Sequence, residues 1–220
     1  MTEGVVYPDS DGQPIADDTK QFRWIVLLKE SLDASLPDFV AGAHLWYPVE
    51  GRPDIRIGPD VMVCLGRPKG DRGSYQQWAE GGQAPQVVIE VISANSEVQQ
   101  LIRSATFYAR YGVGEVIYLD VERAMGWAHL RTADGHIAEV ETIVGWTSPN
   151  LGIRFEQVDG ELAVFGPGGR RFLTWGELED QRRAALQRAE AEAQRAEAEA
   201  RRAARLAEKL RAMGVDPESL

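Results

Sequence analysis

Two carboxylates in apolar surroundings are the residues whose types and spacing most directly indicate chemistry. Asp60 precedes a short apolar run at residues 61–65, and Glu90 stands in the middle of a second run at residues 87–92. A carboxylate inside a run of Val and Ile is costly to bury unless a charged group meets it. Two such carboxylates on adjacent strands therefore predict a shared divalent cation with oxygen ligands.

A glycine-rich loop after the first of these runs is the second candidate site. Residues 66–74 place Arg67, Lys69 and Arg72 close together on a flexible backbone with exposed amide groups. This combination suits a phosphate contact. The loop lacks the ordered spacing of a nucleotide-binding P-loop, and a solvated hairpin loop explains the same pattern equally well.

Composition restricts the function classes that the chain could serve. The 220 residues carry a net charge of −10, and residues 1–176 alone contain 24 acidic and 15 basic side chains. A broadly basic nucleic-acid binder is therefore not indicated, so any phosphate-binding surface must be local. No apolar run approaches the ~20 residues of a membrane span, and residues 1–20 show no secretory signal pattern. The one cysteine, Cys64, is expected to be a buried core residue of a cytoplasmic protein.

A helix is expected before the carboxylates, at residues 20–36, ending at Pro37. Glu30 lies off its apolar stripe and is expected to face solvent, the alternative being that it points toward the carboxylate pair. The stripe consists of Phe22, Ile25, Leu28, Leu32 and Leu36.

The Glu90 strand is expected to start a β-α-β unit. Ser96 is the predicted N-cap of a helix that spans residues 97–111, and Gly112 ends it. The next strand, residues 116–119, ends in Asp120, and the pattern leaves open whether this carboxylate joins the site. The predicted inner face of the helix consists of Val98, Leu101, Ile102, Ala105 and Tyr108.

Further strands are predicted on both sides of this unit. Residues 39–49 and 60–66 show strand patterns before it, and an antiparallel series is predicted after Asp120, at residues 125–130, 137–143, 153–155 and 162–165. His129 and His136 have no carboxylate or Cys at metal-ligand spacing and are predicted to be surface or sheet residues.

The composition changes at about Thr174 to Ala, Glu, Arg and Gln. Thr174 and Glu177 have the spacing of a capping box, which predicts a helix start. Residues 187–193 repeat without change at residues 194–200, and alanines keep the 4-3 spacing of a coiled-coil seam. Such a seam buries little area, so weak self-association and a solvated single helix are both compatible with it.

Several of these features together resemble one family. Pro59-Asp60, Glu90-Val-Ile-Ser93, the run from Phe107 to Val113 and the strand ending in Asp120 are similar to the Uma-type restriction endonucleases of bacteria, which have a PD-(D/E)xK nuclease-like fold. The resemblance covers roughly residues 20–176. It extends to the Ala/Glu/Arg-rich tail that ends in Gly214-Val-Asp-Pro217.

The resemblance implies a mixed α/β (α+β) fold, in which a restriction-endonuclease-like mixed sheet is flanked by helices and followed by a long C-terminal α-helix. The implied organisation is an N-terminal arm at residues 1–19, a nuclease-like domain at residues 20–173 and a helical, coiled-coil-like tail at residues 174–220. The implied cofactor is Mg²⁺, or Mn²⁺, with Asp60, Glu90 and the backbone carbonyl of Val91 as ligands. DNA is the implied substrate, and a homo-oligomer such as a dimer, with the tail contributing, is the implied assembly.

One position departs from the family pattern. The family's lysine corresponds to Ser104, which has no charge to offer the attacking water or the phosphate. Arg103 is adjacent, but one step along a helix turns a side chain by about 100°, so it is expected to point elsewhere. The resemblance therefore implies a metal-dependent DNA endonuclease that is impaired.

Two other interpretations remain open. The chain could be an inactive member of the fold that binds DNA or a protein partner and self-associates through its tail. It could also be a structural module in which Glu90 is hydrogen-bonded inside the sheet, and this interpretation predicts that no metal binds.

Overall fold

A six-stranded mixed sheet is the centre of the part that carries the carboxylates. The computed structural model describes residues 5–12 and 14–214, and the chain divides into two units, Met1–Phe172 and Leu173–Leu220. The strands are β1 (Asp38–Gly42), β2 (Trp46–Tyr47), β3 (Val61–Pro68), β4 (Tyr75–Gln76), β5 (Val87–Ile92), β6 (Glu115–Asp120), β7 (Met125–Arg131), β8 (Ile137–Val140), β9 (Arg154–Val158) and β10 (Glu161–Phe165). The helices are α1 (Thr19–Ser35), α2 (Val98–Tyr111) and α3 (Trp175–Ala212).

The order of strands in this sheet is β1-β3-β5-β6-β7-β8. Strands β5 and β6 run parallel and are joined by α2, whereas the other neighbouring pairs are antiparallel. The predicted β-α-β unit, the antiparallel series after Asp120 and the mixed α/β class are therefore confirmed. Two small sheets, β9 with β10 and β2 with β4, complete the strand pairing of the described residues.

Helix α1 covers one face of the sheet. Asp18 caps its N-terminus by accepting hydrogen bonds from the backbone N–H groups of Lys20 and Gln21, both at 2.8 Å. The predicted stripe is confirmed at its centre, where three residues are buried, but Phe22 is 48% exposed. The buried members, Ile25, Leu28 and Leu32, pack with the side chains of β3 and β5 that point to this face.

Helix α2 borders the opposite face of the sheet, but its predicted inner face is partly wrong. Val98 and Ile102 are 70% and 60% exposed, whereas Ser104 and Tyr108 are buried. A second core forms on this face, where Tyr108 packs with Trp46, Met62 and Val88. The helix therefore turns Ser104 and Tyr108, which are four residues apart, toward the sheet.

Both ends of α2 were predicted, and the C-terminal prediction is the one confirmed. Gly112 adopts a left-handed conformation with φ of 95°, and its N–H donates to the carbonyl of Tyr108. The predicted N-cap, Ser96, is wrong: the cap residue is Glu97, whose side chain makes no capping hydrogen bond. The Ser96 hydroxyl instead accepts a hydrogen bond from the backbone N–H of Ser93 at 3.0 Å, so it stabilises the turn after β5.

The C-terminal unit is dominated by α3. Its start is confirmed as a capping box, because the Glu177 carboxylate accepts from the Thr174 N–H at 2.8 Å and the Thr174 hydroxyl accepts from the Glu177 N–H. No described residue of α3 is buried. The coiled-coil seam stays a prediction. The end of the tail at residues 215–220, like residues 1–4 and 13 of the predicted arm, lies outside the described residues.

Within the described part of the chain, no helix combines the length and the apolar character needed to cross a membrane.

Candidate active site

The sheet brings Asp60 and Glu90 together. Strands β3 and β5 are antiparallel neighbours in which Val61 pairs with Ile89, so the next position outward places Asp60 opposite Glu90. Both carboxylates are partly buried and line one cavity of about 670 Å³. The prediction that adjacent strands bring the two carboxylates together is therefore confirmed, with Asp60 immediately before β3 and Glu90 within β5.

Backbone and side-chain amides hold Asp60 in place. Its Oδ2 accepts a hydrogen bond from the backbone N–H of Val91 at 2.7 Å. The side-chain amide of Gln21, which is buried at the start of α1, donates to the Val91 carbonyl at 2.7 Å and lies 3.5 Å from the same Asp60 oxygen. Gln21 therefore connects α1 with the carboxylate and with the carbonyl that was predicted as a third metal ligand.

Tyr108 holds Glu90 in place from the α2 side. Its hydroxyl donates a hydrogen bond to Glu90 Oε1. The ring of Tyr108 is fully buried and stacks on Trp46, with ring centroids 6.5 Å apart and an interplanar angle of 9°. Because the ring is fixed by packing, its hydroxyl restricts the position of the Glu90 carboxylate.

Burial raises the pKa values of both carboxyl groups, and a nearby negative charge adds to each rise. Burial raises the pKa of Glu90 to about 8, with the negative charge of Asp60 as the next cause, and the Tyr108 hydrogen bond only partly opposes this. Burial also raises the pKa of Asp60 to about 6, against the hydrogen bonds from Val91 and Gln21 and with the charge of Asp17 adding to the rise. Among the described residues, neither carboxylate forms a salt bridge with Lys or Arg, so a cation would relieve this repulsion.

The donor set fits a hard divalent cation. Asp60, Glu90 and the Val91 carbonyl offer only oxygen atoms, and that carbonyl retains a second lone pair beside its hydrogen bond to Gln21. In the described ranges, no group of three or more His, Cys, Asp or Glu side chains is placed to hold a metal. A cation at Asp60 and Glu90 would therefore keep several water ligands, as Mg²⁺ does in proteins.

Ser104 and Arg103 both line the same cavity. Ser104 is 9% exposed, and its hydroxyl donates to the carbonyl of Leu101 at 3.0 Å. Arg103, which was expected to point away from the site, is exposed on α2 and also lines the cavity. Ser104, the position predicted to correspond to the family's lysine, therefore lies in the lining of the carboxylate cavity.

The three basic residues of the glycine-rich loop are not brought to this cavity. Arg67 donates to the Glu80 carbonyl at 3.0 Å, and Lys69 pairs with Asp33 at 3.3 Å. Arg72 forms an ion pair with the Glu80 carboxylate at 2.7 Å, and its guanidinium carbon lies 4.0 Å from the centre of a phenylalanine ring. All three side chains thus connect the loop with the body of the protein.

The two acidic residues whose position the sequence left open lie outside the cavity. The Glu30 side chain is 66% exposed and pairs with Lys29, as its position off the stripe predicted. Asp120 accepts hydrogen bonds from the backbone N–H of Arg123 at 3.0 Å and from its guanidinium at 2.7 Å. Neither carboxylate joins the Asp60–Glu90 pair.

Gln21 and the hydrogen bond from Tyr108 to Glu90 were not predicted from the sequence. A signal for Gln21 existed, because it lies four residues before Ile25 and so on the buried stripe of α1, where a polar side chain needs a partner. Its partner Val91 is 70 residues away in sequence, which no local pattern could identify. Asp17 was missed in the same way; it accepts from the Ser93 hydroxyl at 2.8 Å and lines the cavity.

Comparison with known proteins gives one family and a structural relative. Residues 10–150 match the model of the Uma2 family, whose description is "Putative restriction endonuclease". A solved structure described as a "putative nuclease belonging to DUF820" from Anabaena variabilis ATCC 29413 is similar, at 10% identity and a TM-score of 0.43, with 64% of this chain and 78% of that chain covered. The comparison with curated proteins finds no match.

Proposed function

This chain belongs to the Uma2 restriction endonuclease family, and we propose that it is a metal-dependent DNA endonuclease that hydrolyses phosphodiester bonds. The observation that carries the proposal is the pairing of Asp60 and Glu90 in one cavity, next to the Val91 carbonyl and without a basic partner among the described residues. The proposed cofactor is Mg²⁺ or Mn²⁺. A cytoplasmic location and a homo-oligomer with the tail contributing remain predictions.

Each residue of the site has a role in this proposal. Asp60, Glu90 and the Val91 carbonyl would hold the cation. Gln21 and Tyr108 are positioning residues, because their hydrogen bonds fix the Val91 carbonyl and the Glu90 carboxylate. The cation, when bound, supplies activation of water and stabilisation of the negative charge on the scissile phosphate.

The presence of Ser104 at this position predicts slow cleavage. Its hydroxyl is uncharged and already bonded to the Leu101 carbonyl, so it offers little to a phosphate. Arg103, which also lines the cavity, can offset negative charge but, since arginine stays protonated, it cannot act as a general base. Loss of one electrostatic group of this kind lowers the rate by about 10² to 10³.

The alternative is an inactive nuclease-fold protein that binds DNA or a protein partner and self-associates through its tail. The bonded and uncharged Ser104 is the observation that favours it. The two proposals differ in one respect that can be measured, which is whether the site cleaves DNA when the missing charge is restored.

Cleavage of plasmid DNA in Mg²⁺ or Mn²⁺ tests the proposal with four proteins: the wild type, Glu90→Ala, Ser104→Lys and Glu30→Ala. Glu30→Ala is the matched control, since it removes an exposed carboxylate outside the cavity. We expect slow cleavage by the wild type and the control, none by Glu90→Ala, and a rise of about 10² to 10³ for Ser104→Lys. Cleavage that persists in Glu90→Ala would contradict the assigned site. Absence of cleavage in all four proteins would favour the alternative.

A further inference from the structure

A second cavity of about 530 Å³ adjoins the carboxylate cavity and has the opposite charge. It lies between α2 and the segment that precedes β3. Four arginines line it, Arg52, Arg56, Arg103 and Arg110, together with the rings of Phe107 and Tyr111. Arg56, Arg103 and Phe107 line both cavities, so the arginine groove, as we call these six residues, is continuous with the site of Asp60 and Glu90.

The charges of the groove are only partly neutralised. Asp54, the one acidic residue that lines it, pairs with Arg52 through two contacts of 2.9 and 2.6 Å. Arg56 donates to the Pro53 carbonyl, which is uncharged. Within the described ranges, Arg103 and Arg110 form no salt bridge, and both are exposed. Positive charge is thus concentrated here in a chain whose net charge is −10.

The helix presents these groups on one side. Arg103, Phe107 and Arg110 follow one another at intervals of four and three residues, which places them on the same face of α2. The Arg110 guanidinium lies 5.5 Å from the centre of the Tyr111 ring, and the Phe107 and Tyr111 rings are 4.6 Å apart. Alternating guanidinium groups and aromatic faces are suited to phosphates and to the sugars or bases between them.

We propose that the arginine groove binds the sugar–phosphate backbone of DNA and leads it to the Asp60–Glu90 cavity. The inference rests on the proposed function, because it takes the substrate to be DNA. It assigns the contact to Arg52, Arg56, Arg103 and Arg110, and not to the loop of Arg67, Lys69 and Arg72, whose side chains are bound to the body of the protein. The groove offsets the repulsion that a phosphate meets on approaching two carboxylates.

The test measures binding of a short fluorescein-labelled DNA duplex by fluorescence anisotropy at several salt concentrations. The variants are Arg110→Glu and Arg103→Glu, and the matched control is Arg23→Glu, an exposed arginine on α1 that lines neither cavity. We expect each groove variant to weaken binding about tenfold and to reduce the slope of log K against log salt by about 1, because a phosphate contact is lost. The control should bind as the wild type does.

A titration with Mn²⁺ on the same proteins separates this inference from the proposed function. Arg110 does not line the carboxylate cavity, so Arg110→Glu should bind Mn²⁺ like the wild type while it loses affinity for DNA. If the wild type binds no Mn²⁺ and the groove variants still lose DNA binding, the groove stands and the nuclease proposal fails. A wild type that does not bind DNA, or groove variants that match Arg23→Glu, would overturn the inference whatever the metal result.

Discussion

Glu90 is a carboxylate in an apolar strand, where it needs hydrogen-bond donors or a cation to offset the loss of water. It lies in a strand of Val and Ile, and the Tyr108 hydroxyl is its hydrogen-bond donor among the described side chains. One hydroxyl does not offset both the burial of the carboxylate and the nearby charge of Asp60, which is why the pKa of Glu90 rises to about 8. Ionised Glu90 therefore lowers the stability of the metal-free protein at alkaline pH.

Glu90→Gln should stabilise the metal-free protein at high pH and have much less effect at low pH. A carboxyl group whose pKa is raised on folding from 4.5 to about 8 contributes most below pH 4.5, and its contribution is lost as the pH rises toward 8. Glutamine does not ionise, so we expect the variant to gain on the order of 1–3 kcal/mol in unfolding free energy above pH 8, a discounted value because solvent reaches the cavity. Urea unfolding at acidic and alkaline pH measures this. An equal difference at both pH values would contradict the assignment of a raised pKa to Glu90.

The sequence identifies the two carboxylates because each interrupts an apolar pattern. It does not identify Gln21 or the bond from Tyr108 to Glu90, because both depend on how helices dock on the sheet. Arg103 lines the cavity although it lies one position from Ser104 on α2, which helical periodicity alone did not indicate.

At the scale of elements, the contact of α1 with β5 joins the first helix to the site. The Gln21 amide is the group that bridges them, and it is 7% exposed. Removing it leaves the Val91 carbonyl without that partner in a buried position.

Gln21→Ala should lower the unfolding free energy by about 1–3 kcal/mol, since a buried acceptor loses its donor. Arg23→Ala is the control on the same helix, because Arg23 is exposed and its removal should change stability by no more than about 0.5 kcal/mol. Urea unfolding of both variants and of the wild type measures the difference. A loss for Gln21→Ala no larger than that of the control would show that the bridge does not support the fold.

The positions of most strands and of the helices were predictable, because apolar runs and turn residues mark them. The inner face of α2 was not, since Val98 and Ile102 are apolar yet exposed. The buried face of α2 is centred on Ser104 and Tyr108, which places Tyr108 beside Glu90. Val98 and Ile102 lie to one side of this face and remain exposed. The N-cap of α2 was mispredicted because the Ser96 hydroxyl accepts a hydrogen bond from the Ser93 N–H and not from the first turn of the helix. The sequence did not reveal this competing donor.

At the scale of the molecule, the tail and the sheet unit are expected to be independent in stability. No described side chain of α3 is buried. We expect a chain without residues 174–220 to keep its melting temperature within about 3 °C, which corresponds to about 1 kcal/mol for a protein of this size. Thermal unfolding measures this, and a substantially larger loss would show that the tail supports the sheet unit. Sedimentation of both proteins tests self-association through the alanine seam: the full chain would then form oligomers, and the chain without residues 174–220 would not.

Net charge was predictable from composition, but the position of the arginine groove was not. Arg52 and Arg56 come from the segment before β3, and Arg103 and Arg110 come from α2, so their convergence depends on the tertiary fold. The loop of Arg67, Lys69 and Arg72 had the stronger local pattern because its charges are close in sequence. Its acidic partners, Asp33 and Glu80, lie outside the loop and became visible only in the folded chain.

Calorimetric titration of Mn²⁺ at about pH 8 into the wild type and Glu90→Gln tests the central claim most directly. The account predicts that the wild type binds Mn²⁺ at the Asp60–Glu90 pair and releases protons from Glu90 as it does so, because the raised pKa of Glu90, about 8, leaves part of this carboxyl group protonated at that pH. Glu90→Gln should lose most of this binding while remaining folded. No binding by the wild type, or equal binding by both proteins, would contradict the assignment of a divalent-metal site to Asp60 and Glu90.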